Sequence, residues 1–153
     1  MRAKELIESL DSYDLYSNLQ DFEVRGISCN SKQVCDNFIF VAIAGTRIDG
    51  HRFIQEAIGK GAKAVVVQSL DIGSVLLEKA AFIKVNDTRK TLANLAAKFY
   101  GNPSTKIKVI GVTGTNGKTT ITYLIEALLK EAGFQPAVIG TINYRFKDRV
   151  IPS

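Results

Sequence analysis

The chain has 153 residues, of which 46% are apolar and 23% charged, and its net charge is +5. This length suits one ordinary domain or two small ones, and the composition is typical of a globular protein that folds in water. The charges are scattered, without a run of like charges, which argues against a nucleic-acid partner. No segment resembles a signal peptide or reaches the roughly 20 apolar residues that cross a bilayer, so we expect a cytoplasmic protein without a membrane partner.

Apolar patterns predict short helices and strands through the first two thirds of the chain. The helices repeat apolar residues at a spacing of three and four, and the strands are rich in β-branched and aromatic residues. Helices are expected at 3–10, at 51–61 and within 86–103, and strands at 22–28, 37–45, 62–69 and 81–85. Asp87 or Thr88 can cap the last helix, and Gly101 ends it.

The stretch GNPST, residues 101–105, is the predicted boundary between a domain over 1–100 and a second over 101–153. In the second domain, we expect a buried strand at 106–112, a glycine-rich loop at 111–120 and a helix at 118–133. The segment 136–146 begins as a further strand, which ends at Gly140 and Thr141. The helix should turn its apolar face inward, through Ile121, Leu124, Ile125, Leu128 and Leu129. Strands that alternate with helices in this way predict an α/β fold with largely parallel sheets.

The cysteines and the single histidine, which are residue types that often bind metals or act in catalysis, are interpreted as structural. Cys29 and Cys35 fit no common zinc or redox spacing, and His51 is the only histidine, which excludes a site built from several histidines. Asp49 and His51 could form a catalytic pair, but we interpret them as a turn and a helix cap. The polar stretch YRFKDR, residues 144–149, is interpreted as a solvated hairpin rather than a nucleic-acid patch.

The loop GVTGTNGKTT, residues 111–120, is predicted to hold phosphate. It follows a predicted buried strand and opens a helix, so the unpaired N–H groups of the helix start would meet the ligand. Lys118 would pair with the terminal phosphates, and Thr119 would offer its hydroxyl to Mg²⁺. The common pattern G-x-x-x-x-G-K-[ST] fails at one position, because Val112 stands where its first glycine would be. The alternative is a structural turn between strand and helix.

The departure from the common pattern is itself informative, because VTGTNGKTT resembles the ATP-binding loop of the Mur ligase family. Residues 28–67 are similar to the N-terminal uridine-nucleotide domain of that family. The motif GTINYR, residues 140–145, resembles the tripeptide-forming branch. The resemblance implies a small N-terminal α/β domain followed by the start of a P-loop, parallel-sheet ATPase domain.

The resemblance also implies an activity. Members of the family use ATP to activate a carboxylate as an acyl phosphate, which an amino group then attacks to form an amide. For this branch the substrate would be UDP-N-acetylmuramoyl-L-alanyl-D-glutamate, and the added residue a diamino acid, by default meso-diaminopimelate. Lys118 and Thr119 would act in catalysis, with Thr119 on Mg²⁺. The ATP contacts would be Gly114, Thr115, Asn116, Gly117, Lys118, Thr119 and Thr120.

Contacts to the uridine nucleotide are implied in two turns of the first domain. The family often has a D-S-R triplet, which is here Asn30, Ser31 and Lys32, so that Ser31 matches and its neighbours differ. Arg47 could supply charge to the diphosphate. The substrate-binding residues implied by the match are Cys29, Ser31, Thr46, Arg47 and Ile48.

By this resemblance, the chain corresponds to the first third of a ligase. The Mg²⁺-binding acids and the amino-acid domain would lie beyond residue 153, so we expect the chain alone to be inactive and its second domain to be prone to aggregation. Other readings stay open, namely a ligase that adds D-alanyl-D-alanine, a folylpolyglutamate ligase, a non-catalytic nucleotide-binding module, or a nucleic-acid binder.

Overall fold

The structure, a computed structural model, describes residues 1–45, 48–70 and 77–152, and divides the chain into Met1–Ile107 and Lys108–Ser153. In the part of the chain that is described, no helix has the length and apolarity that crossing a membrane requires. The two units are described in turn below.

The first unit is built on a five-stranded sheet in the order β1-β5-β4-β3-β2, in which β2 to β5 are parallel and β1 runs antiparallel to β5. The strands are β1 (Asp14–Leu15), β2 (Gly26–Ser28), β3 (Phe38–Val41), β4 (Ala62–Val67) and β5 (Ala81–Lys84). The helices are α1 (Ala3–Ile7), α2 (Ile54–Gly59) and α3 (Thr88–Phe99). This arrangement confirms the predicted α/β fold.

Side chains of the central strands alternate between two apolar layers, because successive residues of a strand point to opposite faces. On one face, Ile39, Val66 and Ile83 pack with residues of α1 and α3. On the other face, Phe40, Val65 and Phe82 pack with residues of α2. Both faces are therefore covered, which explains why β3 and β4 have near-continuous apolar sequences.

The ends of α3 follow the sequence prediction closely. The Asp87 carboxylate accepts hydrogen bonds from the N–H groups of Arg89 and Lys90 at 2.9 and 3.0 Å, which makes Asp87 the N-cap. At the other end, the N–H of Gly101 donates to the Lys98 carbonyl at 3.0 Å. Pro103 begins a 3-10 turn (Pro103–Thr105) just beyond. The predicted cap and stop are confirmed.

The second unit contains the glycine-rich loop that ends at Gly117, here called the phosphate-type loop (residues 111–117), followed by helix α4 (Lys118–Glu131). An antiparallel sheet in the order β6-β7-β8 completes it. The strands are β6 (Ala137–Ile139), β7 (Asn143–Phe146) and β8 (Arg149–Pro152). The β7–β8 pair turns at Lys147 and Asp148, which confirms the hairpin predicted at 144–149. Helix α4 starts immediately after the loop, as predicted.

Two predictions for the second unit are wrong. Residues 106–112 form no strand, and Ile107, Val109 and Ile110 are exposed, because no described strand pairs with this segment and a strand requires a hydrogen-bonding neighbour. The predicted inward face of α4 is also incompletely covered, because only Ile125 and Leu129 are half-buried. Ile121, Leu124 and Leu128 are exposed, because no described element of this unit covers that side of the helix.

Candidate functional site

Two glycines with positive φ shape the loop that leads into α4. Gly114 has φ +149° and Gly117, the residue before the first helical residue, has φ +73°. Residues with a side chain rarely adopt a backbone conformation with positive φ, whereas glycine adopts it readily. At Gly117 the constraint is conformational rather than spatial, because an added Cβ would meet no atom within 4 Å.

The start of α4 presents unpaired donors next to a lysine ammonium. The N–H groups of the first helical turn have no acceptor within the helix, and no side chain caps them. The Lys118 Nζ curls back over the loop and donates to the carbonyl oxygens of Gly114 at 2.5 Å and Thr115 at 3.3 Å. The ammonium and the helix N-terminus therefore concentrate positive potential at one place, as an anion site requires.

A cleft of about 300 Å³ lies beside this helix start, entirely within the second unit. Lys118, Thr119 and Tyr123 line one side, and residues of the β6–β7 turn line the other. This volume is at the lower end of the range of small-molecule sites. The predicted residues Lys118 and Thr119 thus share one cleft, while the other five predicted ATP contacts are not among its lining residues, namely Gly114, Thr115, Asn116, Gly117 and Thr120.

An ion-pair cluster that the sequence analysis missed ties α4 to β7. Glu126 is 8% exposed, and its carboxylate accepts from Arg145 Nη2 at 2.5 Å and from Lys130 Nζ at 2.8 Å. The Arg145 guanidinium also stacks 3.9 Å from the centre of the Tyr123 ring and donates to Asn143 Oδ1 at 2.6 Å. The spacing of Glu126 and Lys130 signals their pairing, but nothing local signals Arg145.

This cluster predicts a pH dependence for the contact between α4 and β7. Hydrogen bonds from Arg145 and Lys130 hold the pKa of Glu126 below its ordinary value of 4.5. A carboxylate with a lowered pKa stabilises the folded state above its ordinary pKa, and this contribution is lost as the pH falls through the folded pKa. We expect Arg145 Nε and Glu126 carboxyl NMR shifts to change together below about pH 4.5. Glu126→Gln should abolish the coupled change, and its persistence there would contradict the assignment.

The predicted uridine-nucleotide residues fall in different environments of the first unit. Ser31 is buried in a 3-10 turn (Ser31–Gln33), whereas Cys29 and Ile48 are exposed. Thr46 and Arg47 lie outside the described residues. Asn30, which departs from the family triplet, caps the turn because its Oδ1 accepts from the Lys32 N–H at 3.0 Å.

Asp49 and His51 form a structural cap, as the sequence analysis predicted. The Asp49 carboxylate accepts from the His51 N–H at 3.0 Å and from Nδ1 of the ring at 2.7 Å. Nε2 accepts from the Gln68 N–H at 3.2 Å, so the proton of the neutral ring lies on Nδ1. The hydrogen bonds from His51 hold the pKa of Asp49 below its ordinary value.

Within residues 1–45, 48–70 and 77–152, no three histidine, cysteine or acidic side chains gather as they would around a metal ion. Thr119, the residue that the sequence analysis assigns to Mg²⁺, lines the cleft.

Two family models match the chain. The one described as "Mur ligase family, catalytic domain" matches residues 23–100, which are more than half of the chain. The one described as "Mur ligase middle domain" matches residues 112–151, which contain the loop, α4 and the three-stranded sheet.

Curated relatives include ligases named UDP-N-acetylmuramoyl-L-alanyl-D-glutamate–2,6-diaminopimelate ligase. The chain is 42% identical to the one from Clostridium tetani over 151 residues, which are 99% of this chain and 31% of that protein. It is 50% identical to the one from Aquifex aeolicus over 130 residues, which are 85% of this chain and 26% of that protein. The chain thus spans less than a third of the length of these relatives.

Solved structures lead to the same family. A MurF ligase from Thermotoga maritima, in complex with ADP, is 39% identical with a TM-score of 0.52, over 71% of this chain and 24% of that one. A 2,6-diaminopimelate ligase shares the fold with a TM-score of 0.62 at 24% identity, over 84% of this chain and 26% of that one. The resemblance inferred from the loop and its flanking motifs is confirmed, and the chain belongs to the Mur ligase family.

Proposed function

We propose that this chain forms the uridine-nucleotide domain, over 1–100, and the start of the ATP domain, over 101–153, of a cytoplasmic ligase. The reaction is the ATP-dependent addition of 2,6-diaminopimelate to UDP-N-acetylmuramoyl-L-alanyl-D-glutamate. The observation that carries this proposal is the identity of 42–50% to ligases with that name. It extends through both units of the chain and includes the loop whose geometry suits phosphate.

The proposed ATP site is the loop over 114–120 together with the start of α4. Bound ATP would supply the phosphoryl group that activates the substrate carboxylate. The ammonium of Lys118 and the N–H groups of the first helical turn would offset the charge of the phosphates. The Thr119 hydroxyl would be a Mg²⁺ ligand. The positive φ angles at Gly114 and Gly117 and the shared cleft of Lys118 and Thr119 support this fit.

The proposed uridine-nucleotide site comprises Cys29, Ser31, Thr46, Arg47 and Ile48. Support comes from the exposure of Cys29 and Ile48, which leaves both accessible to a ligand. Lys32, three residues after Cys29, is also exposed and adds positive charge for a diphosphate. The amino-acid substrate is assigned to parts of the relatives that this chain does not span.

Calorimetric titration of the chain with UDP-N-acetylmuramoyl-L-alanyl-D-glutamate tests the proposal. We expect binding by the parent chain and weaker binding by Ser31→Ala, by about tenfold, the value of one lost hydrogen bond in a polar site. Ser104→Ala is the matched control, because Ser104 is exposed in the 3-10 turn after α3. A folded parent that does not bind the nucleotide would contradict the assignment.

The second candidate is a ligase that adds D-alanyl-D-alanine. The specific observation in its favour is the 39% identity to the MurF ligase from Thermotoga maritima over 71% of this chain. The two functions differ in their nucleotide substrate, which ends in a dipeptide in one case and a tripeptide in the other. A longer protein that contains this sequence should form product from diaminopimelate and the dipeptide substrate. Product only from D-alanyl-D-alanine and the tripeptide substrate would favour the second candidate.

A further inference from the structure

The hydroxyl of Ser31 is already engaged within the protein. Ser31 is 6% exposed, and its Oγ donates to Glu56 Oε2, on helix α2, at 2.8 Å. A hydroxyl has one proton and two lone pairs. Because the proton is committed to Glu56, Ser31 Oγ can offer a ligand only a lone pair.

Lys60 completes the cluster around Ser31. Its Nζ donates to Glu56 Oε1 at 2.7 Å and to the Ser31 carbonyl oxygen at 3.2 Å. Residues 56 and 60 are one helical turn apart, so both side chains leave the same side of the helix end. Together they hold the side chain and the main chain of Ser31. We call these three residues the Ser31–Glu56–Lys60 cluster.

The turn that carries Ser31 is internally hydrogen-bonded on its other side. The N–H of Asn30 donates to Ser28 Oγ at 3.0 Å, and that hydroxyl donates to the Asn30 carbonyl at 3.1 Å. These bonds fix the local shape of the turn, but they do not connect it to α2. The Ser31–Glu56–Lys60 cluster makes that connection, between residues 25 and 29 positions apart in the chain.

We propose that Glu56 is a positioning residue for the uridine-nucleotide site, which acts by holding Ser31 and thereby the turn that presents Cys29 and Lys32 to the ligand. This inference rests on the proposed function. It also assigns the direction of the hydrogen bond between Ser31 and the ligand, in which Oγ accepts and the ligand donates. The imide N–H of a uracil ring or a sugar hydroxyl can donate such a bond, whereas a phosphate oxygen cannot. The Glu56–Lys60 pair is about two-fifths exposed, so its role lies in geometry more than in stability.

Two measurements on the 153-residue chain test the inference. The first is amide hydrogen exchange at residues 31–34 without ligand, and the second is calorimetric affinity for UDP-N-acetylmuramoyl-L-alanyl-D-glutamate. For Glu56→Ala, we expect exchange in the turn to quicken and affinity to fall, each by about tenfold. The exchange rate and the affinity of Glu56→Gln should lie between those of Glu56→Ala and the parent, because an amide oxygen can still accept from Ser31. Lys60→Met should have a smaller effect.

The controls carry the same charge changes on elements other than the turn and α2. Glu8→Ala removes an exposed carboxylate at the end of α1, and Lys63→Met removes an exposed ammonium on β4. Neither should alter the exchange in the turn or the affinity. If Glu56→Ala and Glu8→Ala have similar midpoints of thermal unfolding, the change in exchange is local and does not come from unfolding of the domain.

The outcomes separate the inference from the proposed function. If the parent binds and Glu56→Ala binds equally well, the positioning role is overturned and the proposed function stands. Unchanged exchange at residues 31–34 in Glu56→Ala would likewise overturn it, because the cluster would not be holding the turn. If the folded parent does not bind the nucleotide, the proposed function is overturned, and so is the existence of the site that Glu56 would position.

Discussion

Replacing Gly61 with alanine is expected to destabilise the first unit by about 2–4 kcal/mol, through backbone strain and steric overlap. Gly61 has φ +103°, and an added Cβ would lie 2.2 Å from Asp36 Oδ1 and 2.7 Å from the Asp36 Cα. The side-chain oxygen could move, but the main chain of Asp36 is held nearby, because the Asn37 N–H donates to the Gly61 carbonyl at 3.0 Å. The overlap must therefore displace the connection between α2 and β4.

Gly59, two residues earlier, is the matched control. An added Cβ there would meet no atom within 4 Å, and Gly59 is the last residue of α2. Gly59→Ala should therefore be neutral or stabilise by up to about 1 kcal/mol, through helix propensity. Urea denaturation followed by circular dichroism measures both variants. Equal stabilities of the two variants would show that the close approach of Gly61 to Asp36 is not maintained in solution.

Features that depend on neighbouring residues were predictable from the sequence. The Asp87 cap and the Gly101 stop depend on a few consecutive residues, and the structure has both. The strands β3 and β4 were recognisable because a strand buried on both faces needs a continuous apolar run. The phosphate-type loop was recognisable because glycines, a lysine and a threonine stand in a fixed order before a helix.

Features that depend on distant partners were not predictable. The segment 106–112 has the apolar sequence of a buried strand, but the described residues provide no strand beside it. Similarly, Leu124 and Leu128 have helical spacing, but no described part of their unit covers them. Apolar periodicity identifies a surface that can be buried, and it does not identify the element that buries it.

The same reasoning applies to the polar contacts. Ser31 donates a hydrogen bond to Glu56, which is 25 positions away in the sequence. Arg145 donates one to Glu126, which is 19 positions away. Each pair comes together because a helix packs beside another element, and no local pattern marks the partner. This is why the resemblance could suggest Ser31 as a ligand contact without indicating that its hydroxyl already has an acceptor.

Replacing Lys118 with methionine is expected to weaken the binding of MgATP to the chain by about 10- to 100-fold, the value of one charge-assisted hydrogen bond lost from a phosphate site. Methionine is unbranched and only one heavy atom shorter than lysine, so it keeps most of the apolar side chain and removes the charge and the donors. Calorimetric titration, or displacement of a fluorescent ATP analogue, measures the change. Lys108→Met is the matched control, because Lys108 is an exposed lysine of the same unit and lies before the loop.

Lys118 has a second role that the measurement must separate from the first. Without nucleotide, its Nζ holds the carbonyl oxygens of Gly114 and Thr115, so its removal also frees the loop. Lys118→Arg keeps the charge, and if charge is what phosphate requires, it should bind MgATP more tightly than Lys118→Met. If arginine and methionine weaken binding equally, the loop geometry held by Lys118, rather than its charge, governs nucleotide affinity. Unchanged affinity in Lys118→Met would exclude this loop as the ATP site.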